Sequence, residues 1–394
     1  MSDIQYLNAI LAGMSYLGGF ILLCALISIV YLIISIAATL TFKQLSVTAK
    51  STSPPVSILK PVCGQEINLQ QNLRSFCQQA YPRYQVIFGV SSPTDPAIET
   101  IRTLIRDFPE LDLELVVDAS LIGSNRKISN LANMFSKTRH DLLVIADSDM
   151  LVDPNSLATV TACFDDTSVG AATCLYTGKS TGGLASSLGA SYINTWFLPS
   201  VLVALSFQQL SFCFGATMAI RRGVLTEIGG FERLASVLAD DYLLGNLVHS
   251  RGYIVALVPY LVKNIVHESS LSALFRHELR WARTVRSVQP IGYSLSFLTH
   301  TVPLSLLYLA LTPAPVTGYV VLSVALGLRV LSHLSINRHT EPQSRGNVWL
   351  LPLRDLLSFG VWIASFFGSA VEWRQQNFNI EANGLMTHIK PESK

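Results

Sequence analysis

Residues 11–42, LAGMSYLGGFILLCALISIVYLIISIAATLTF, carry no charge, and Lys43 is the first charged residue after them. A helix needs about 20 apolar residues to cross a bilayer, so this run is long enough to span one. No basic residue precedes it and it continues well past the length of a signal-peptide core, so it reads as a retained membrane helix. Asp3 lies before the run, and Lys43, Lys50 and Lys60 follow it. The positive-inside rule then puts the N-terminus outside and the next region in the cytosol.

Two more spans are expected near 295–312 and 316–334, joined by the uncharged TPAPVTG. A further apolar segment, LLPLRDLLSFGVWIASFFGSAVEW, carries Arg354 and Asp355 near its start and reads either as a span or as an interfacial element. Three or four spans are expected in all. The chain divides accordingly into an N-terminal membrane helix (1–45), a cytosolic domain (50–270), an interfacial helix (271–293) and a C-terminal membrane region (294–394). KSTSPP at 50–55 reads as the first linker.

Only 14% of the 394 residues are charged, against about 25% in ordinary globular domains. The formal net charge of +2 gives no basic surface of the kind that nucleic acid requires. Six cysteines are scattered without a CxxC pair, so neither a zinc site nor a disulfide framework is suggested.

The middle of the chain has a different texture. VSILKPV, YQVIFGV, LELVVDA and DLLVIAD are short β-rich runs, separated by helix-like segments such as DPAIETIRTLIRDFP. This βα rhythm implies a mostly parallel sheet covered by helices on both faces, with ligands at the carboxyl ends of its strands. Asp147 and Asp149, in ADSD, stand at one such end. Two residues apart on a strand they share a face, and two carboxylates can hold one hard divalent cation together with substrate phosphates. Turn carboxylates that merely solvate a loop are the plain alternative. An EF-hand is excluded, because Val152 and Ala158 replace its Gly and Glu. A phosphatase that uses Asp-x-Asp on its first strand fits poorly, because three βα units come before this one.

Other polar groups recur around the same sheet. Asp95 precedes Pro96, where an N-cap explains it as well as a ligand role does. Arg126 and Lys127, in SNRKISNL, could reach a diphosphate; a solvated loop pair fits equally. Asp240 and Asp241 open a helix in ADDY, and capping explains one of them at most. In LSALFRHELRWARTVRSV, helical spacing gathers Arg276, Arg280, Arg283 and Arg286 on one face, opposite Leu274, Phe275, Ala282 and Val285. A basic amphipathic helix just ahead of a span lies at the bilayer surface, its arginines meeting lipid head groups or a phosphorylated substrate. Anchoring alone leaves the Arg280–Trp281 pair unexplained.

Asp95, ADSD, ADDY and HELRW, in this order between one N-terminal span and a C-terminal group of spans, resemble the four motifs of the ceramide glucosyltransferase-like membrane glycosyltransferases. The likeness runs from VSILKPVCG to about residue 293 and includes SNRKISNL. RHELRWARTVRSVQPIGY and PLRDLLSFGVWIASFFG are most similar to the bacterial hopanoid-biosynthesis members of that group. The resemblance implies a GT-A fold of the α/β class in a bacterial inner membrane, facing the cytosol. It implies a UDP-sugar donor, a lipid acceptor, and a divalent metal, Mg2+ or Mn2+.

By position, the resemblance puts Asp95 near the nucleotide base, Asp147 and Asp149 at the metal and diphosphate, and Asp241 in the role of general base. Arg280 and Trp281 line the donor and acceptor site, and Arg126, Lys127, Asp240 and His277 contact substrates. The ceramide enzymes carry Gln or Arg where this chain has His277, and a different residue where it has Asp149. Acceptor contacts and the choice of metal carboxylate are therefore open. An inverting transfer of N-acetylglucosamine to bacteriohopanetetrol is the activity expected. A ceramide-type glucosyltransferase, a processive polysaccharide synthase and a non-catalytic membrane scaffold are the alternatives.

Overall fold

The computed structural model describes residues 3–50, 53–340, 346–373 and 376–389; Ser51 and Thr52 of the expected linker lie outside them. A long helix, α1 (Asp3–Thr41), leads into four βα units: β1 (Val56–Val62), α2 (Leu69–Cys77), β2 (Tyr84–Val90), α3 (Ala97–Asp107), β3 (Asp112–Val117), α4 (Arg126–Phe135) and β4 (Leu142–Ala146), then β5 (Met150–Leu151) and α5 (Ser156–Ala162). The second half of the sheet domain adds β6 (Val169–Ser180), α6 (Leu184–Tyr192), α7 (Leu198–Leu205), β7 (Thr217–Arg221), α8 (Arg222–Glu227), α9 (Asp240–Ser250) and β8 (Ile254–Val266).

These strands form one sheet in the order β3-β2-β1-β4-β7-β6-β8-β5. β3, β2, β1 and β4 run parallel. β7 is antiparallel to both of its neighbours, while β6 and β8 are again parallel. β1, β2 and β4 are buried along their whole length, which is why they read as unbroken apolar runs. The chain steps outward from β1 to β2 and β3, then returns to place β4 on the other side of β1. Crossovers diverge at such a point, and a crevice opens at the carboxyl ends of the two strands.

Helical spacing explains the layers. On one face Leu73 and Phe76 of α2 and Ile101 and Leu104 of α3 pack on Ile58, Val86 and Val144. On the other, Ile128, Leu131 and Met134 of α4 meet Leu59, Ile87 and Ile145. Each such side chain, fully buried, contributes about 1.5–3 kcal/mol.

After the sheet come α10 (Leu271–Val288), α11 (Pro290–Leu295), α12 (Thr301–Leu311), α13 (Pro315–Ile336) and α14 (Leu351–Ser365), and a small antiparallel sheet of β9 (Ala370–Trp373), β10 (Gln376–Ile380) and β11 (Met386–His388). α1 packs on α12 and α13 through Ile21, Ala25, Leu304 and Val321, with Ser28 Oγ donating to Thr301 Oγ1 at 2.6 Å.

Among the described residues, four helices are long and apolar enough to cross a membrane: 16–41, 184–205, 315–336 and 348–365. The expected span near 295–312 is instead a pair, 290–299 and 301–311, bent by 64°. The expected segment 350–373 is helical only to Ser365, and its end is strand β9. The 184–205 segment is not among the spans expected from the sequence. Its helix is interrupted by a π turn over Ile193–Phe197. Lys60 is not a charge flanking a membrane helix. It is a fully buried residue of β1.

Candidate active site

Asp147 and Asp149 lie not on a strand, as the spacing suggested, but in the turn between β4 and β5, at the crevice where β1 and β4 end. Three contacts fix this turn. The Asp147 amide donates to the Ala216 carbonyl at 3.1 Å, Lys60 Nζ donates to the Asp147 carbonyl at 2.5 Å, and the Ile265 amide donates to the Asp149 carbonyl at 2.9 Å. The side chains then differ. Lys127 Nζ lies 2.6 Å from Asp147 Oδ1, whereas Asp149 Oδ2 accepts from Asn264 Nδ2 at 2.8 Å. Burial, with the charges of Asp147 and Glu66 added, pushes the Asp149 carboxyl up to about 7. Burial likewise pulls the Lys60 ammonium down to about 7, against the opposing pull of Asp147 and Asp149.

The second aspartate pair opens α9. Asp241 Oδ2 accepts from the Gly215 amide at 2.7 Å and Oδ1 from the Tyr242 amide at 2.8 Å. Gly215 and Ala216 are consecutive, so one short segment leading into β7 positions both Asp241 and Asp147. The approach is close, since a Cβ at position 215 would stand 3.0 Å from Asp241 Oδ2 and the carboxylate would have to give way. Asp240 is buried and takes one bond from Asn125 Nδ2 at 3.1 Å. Asn125 is also the N-cap of α4, accepting from the Ile128 amide at 3.1 Å, and so links the helix that carries Lys127 to this pair. Burial raises the Asp240 carboxyl to about 6 against the Lys127 charge, and raises Asp241 in the same direction. For Lys127 burial opposes the charge, but Asp147, Asp240 and Asp241 together outweigh it and lift its pKa.

On α10, His277 Nδ1 lies 2.6 Å from Glu268 Oε1, and its ring centroid is 4.3 Å from that of Trp281. Burial lowers the His277 pKa. Asp147, Asp149, Lys127, Asp240, Asp241, His277, Arg280 and Trp281 all line one cavity of about 940 Å³. Its other lining residues include apolar and aromatic ones, Trp196, Val201 and Leu205 from 184–205 and Val361 and Trp362 from α14, beside polar ones such as Asn264 and Glu278.

Two expected residues are not in this group. Asp95 accepts from the Ala97 amide at 2.9 Å, as an N-terminal helix cap does, and from the Gly64 amide at 2.9 and 3.0 Å; it lies outside the cavity lining. Arg126, the first residue of α4, is exposed to solvent, so of the basic pair only Lys127 turns inward. Arg283 and Arg286 do not form a free basic face. Arg283 donates to the Phe367 carbonyl at 2.5 Å and to that of Ala370, and Arg286 donates to the Gly368 carbonyl at 2.9 Å. Arg283 and Arg286 therefore tie α10 to residues 367–370, which lead into β9.

Lys60 and Asn264 are the site residues that sequence reasoning missed. A lysine inside the otherwise apolar VSILKPV was the available signal; Asn264 offered none. Among the described residues no group of three His, Cys, Asp or Glu side chains is assembled to hold a metal. Two carboxylates fit a hard cation that completes its shell with phosphate oxygens and water.

Comparison with known proteins gives a consistent picture. Ceramide glucosyltransferase 1 of Caenorhabditis elegans is 26% identical over 305 residues, covering 74% of this chain and 65% of that protein. Ceramide glucosyltransferase 3 of the same organism is 23% identical over 350 residues, covering 85% and 74%. The chain thus spans less than two thirds of the first of these relatives. A mannosyltransferase from Pyrobaculum calidifontis, solved in complex with GDP-Man and Mn2+, is 17% identical and superposes with a TM-score of 0.50 over 87% of this chain and 99% of that one. The fold is thereby a GT-A-like α/β fold. The sequence profile of glycosyl transferase family 21 matches residues 20–386, and the chain belongs to that family.

Proposed function

We propose that this protein is a membrane-bound glycosyltransferase that moves a sugar from a UDP-sugar to a lipid alcohol with inversion at the anomeric carbon. More narrowly, the sugar is N-acetylglucosamine and the acceptor bacteriohopanetetrol, and the catalytic region, 50–270, faces the cytosol of a bacterial inner membrane. One observation carries the reading. A single cavity of about 940 Å³ joins the carboxylates at the sheet end to aromatic and apolar walls on helices long enough to cross a bilayer. A lipid alcohol leaves the membrane only at a cost of about 0.8 kcal/mol per CH₂, so its hydroxyl is best met where the sheet domain adjoins those helices.

The roles are assigned from the resemblance and from position in the cavity. Asp147 and Asp149 would hold a divalent cation, Mg2+ or Mn2+, which when bound would offset the charge of the leaving diphosphate. Lys127, fixed beside Asp147, adds a positive charge on the same side of the cavity. Asp241 takes the proton of the acceptor hydroxyl. The hydroxyl oxygen forms the new bond to the anomeric carbon while the bond to the diphosphate breaks, and UDP leaves with the electron pair. Asp240 and Arg280 flank the transfer, and His277 and Trp281 form the wall nearest the acceptor.

The names of the relatives favour a second reading, transfer of glucose from UDP-glucose to a ceramide. Membranes containing the protein, incubated with labelled UDP-sugars and a panel of lipid alcohols and analysed by mass, decide between the two. N-acetylglucosamine on the hopanoid polyol supports the first, and glucose on ceramide the second. A polysaccharide product would point to a processive synthase, and failure of the purified protein to bind UDP to a non-catalytic scaffold.

A further inference from the structure

α14 carries two adjacent charged residues, Arg354 and Asp355, and both are buried. Arg354 grips Glu278 of α10 with two parallel bonds, Nη1 to Oε1 and Nη2 to Oε2, each 2.7 Å long. It also donates to the Leu188 carbonyl at 3.3 Å and to Ser358 Oγ at 3.2 Å. Asp355 turns the other way, to Arg329 of α13, whose Nε donates to its two oxygens at 3.0 and 2.9 Å. Arg329 in turn holds the Thr195 carbonyl at 2.6 Å, in the π turn between α6 and α7.

Charges among membrane helices are expensive, and their presence asks for a role beyond packing. The two pairs differ in what they touch. Glu278 follows His277 directly, stands two positions before Arg280, and lines the cavity. The Arg354 guanidinium also lies 5.3 Å over the Tyr192 ring, and Tyr192 stacks on Trp281 at 6.1 Å. One guanidinium thus holds the working turn of α10 from behind by two routes, through Glu278 on the helix itself and through the aromatic wall. A bidentate arginine fixes orientation as well as charge. The Arg329–Asp355 pair makes no such bond to α10.

Resting on the transferase reading of the cavity, we propose that Arg354 and Glu278 are positioning residues, which set the rotation of α10 and hence where Arg280 and Trp281 meet donor and acceptor. The test uses the full chain in nanodiscs with three variants: Glu278→Gln, Arg354→Lys, which keeps the charge but loses the fork, and Asp355→Asn for comparison. Melting temperature, kcat, KM for the UDP-sugar and amide hydrogen exchange across α10 are measured for each.

Glu278→Gln should lower kcat about a hundredfold, the order of loss that a 1 Å misplacement brings. Its KM for the donor should stay within about threefold of the original, with faster exchange in α10. Arg354→Lys should melt close to the unaltered protein yet lose about tenfold in kcat. Asp355→Asn should lower the melting temperature and leave α10 exchange unchanged. The proposal is overturned if Arg354→Lys matches the unaltered protein in kcat and in α10 exchange, or if Glu278→Gln lowers kcat no more than Asp355→Asn does. If the unaltered protein transfers no sugar to any lipid, the transferase reading fails by itself. The α10 exchange comparison still decides whether the pair orients the helix.

Discussion

Two carboxylates in one turn, Asp147 with a lysine at 2.6 Å and Asp149 with an amide at 2.8 Å, would on the proposed function hold a cation that offsets the charge of a diphosphate. Asp149→Ala should therefore lower turnover by about 10²–10³ without changing membrane insertion, and a chelator should reduce the unaltered protein to the same background. Turnover that persists in chelator would end the metal assignment. Asp241→Asn keeps the shape of the side chain but removes the base, so the chemical step should slow by about 10²–10⁴ while UDP-sugar binding, read by calorimetry, persists.

Gly215→Ala tests the close approach that aims Asp241. The new methyl would meet Oδ2 at 3.0 Å, so kcat should fall about tenfold from a displaced carboxylate, with donor KM little changed. Unaltered kcat would show that Asp241 needs no such aim. The acidic residues of this site drew notice because Asp147 and Asp149 follow an apolar strand run and Asp240 and Asp241 are doubled where a helix cap needs only one. Lys60 was misjudged because a lysine counted as a loop charge shows nothing of the fold that buries it. The capping role of Asp95 was legible, but its bond from the Gly64 amide was beyond reach, since Gly64 meets it only after β1 and β2 pair.

Elements differ in how plainly they announce themselves. β1, β2 and β4 were readable because strands buried on both faces must be apolar throughout, while β3, a half-buried edge strand, showed only its β-rich LELVV. β9 to β11 were not: QNFNI and MTH are short and half polar, and they are held by α10 and by the Leu238 segment rather than by a pattern of their own. Phe378, Ile380 and Met386 pack on Leu238, and the Leu238 amide donates to the Gly384 carbonyl at 2.9 Å. That contact ties the small sheet to the segment that leads into Asp240 and Asp241.

Arg283→Leu removes the donors to the Phe367 and Ala370 carbonyls and should free the C-terminal strands, seen as faster proteolysis beyond residue 365. Arg286→Lys keeps a donor for Gly368 and should be mild, below about 0.5 kcal/mol. Equal resistance in both variants would show that the strands hold themselves. The bent pair 290–299 and 301–311 defeats a hydropathy count for a similar reason, because apolar composition sets length and not direction.

At the scale of the whole molecule, the orientation of the sheet domain depends on which side of the bilayer holds the end of α1 that carries Lys43 and Lys50. Gly18, near the other end of α1, lies against Thr312, so the turn between α12 and α13 shares the side opposite to those lysines. Thr48 and Ala314 are both exposed and mark the two sides. Of the six cysteines only Cys63 is exposed, so Cys63→Ser gives a quiet background. In intact cells an impermeant thiol reagent should label Ala314→Cys and spare Thr48→Cys until the membrane is opened, because basic residues stay in the cytosol. Labelling of Thr48→Cys alone would put the aspartates outside, where cytosolic UDP-sugar does not reach them. The membrane assignment would then stand while the proposed donor fell.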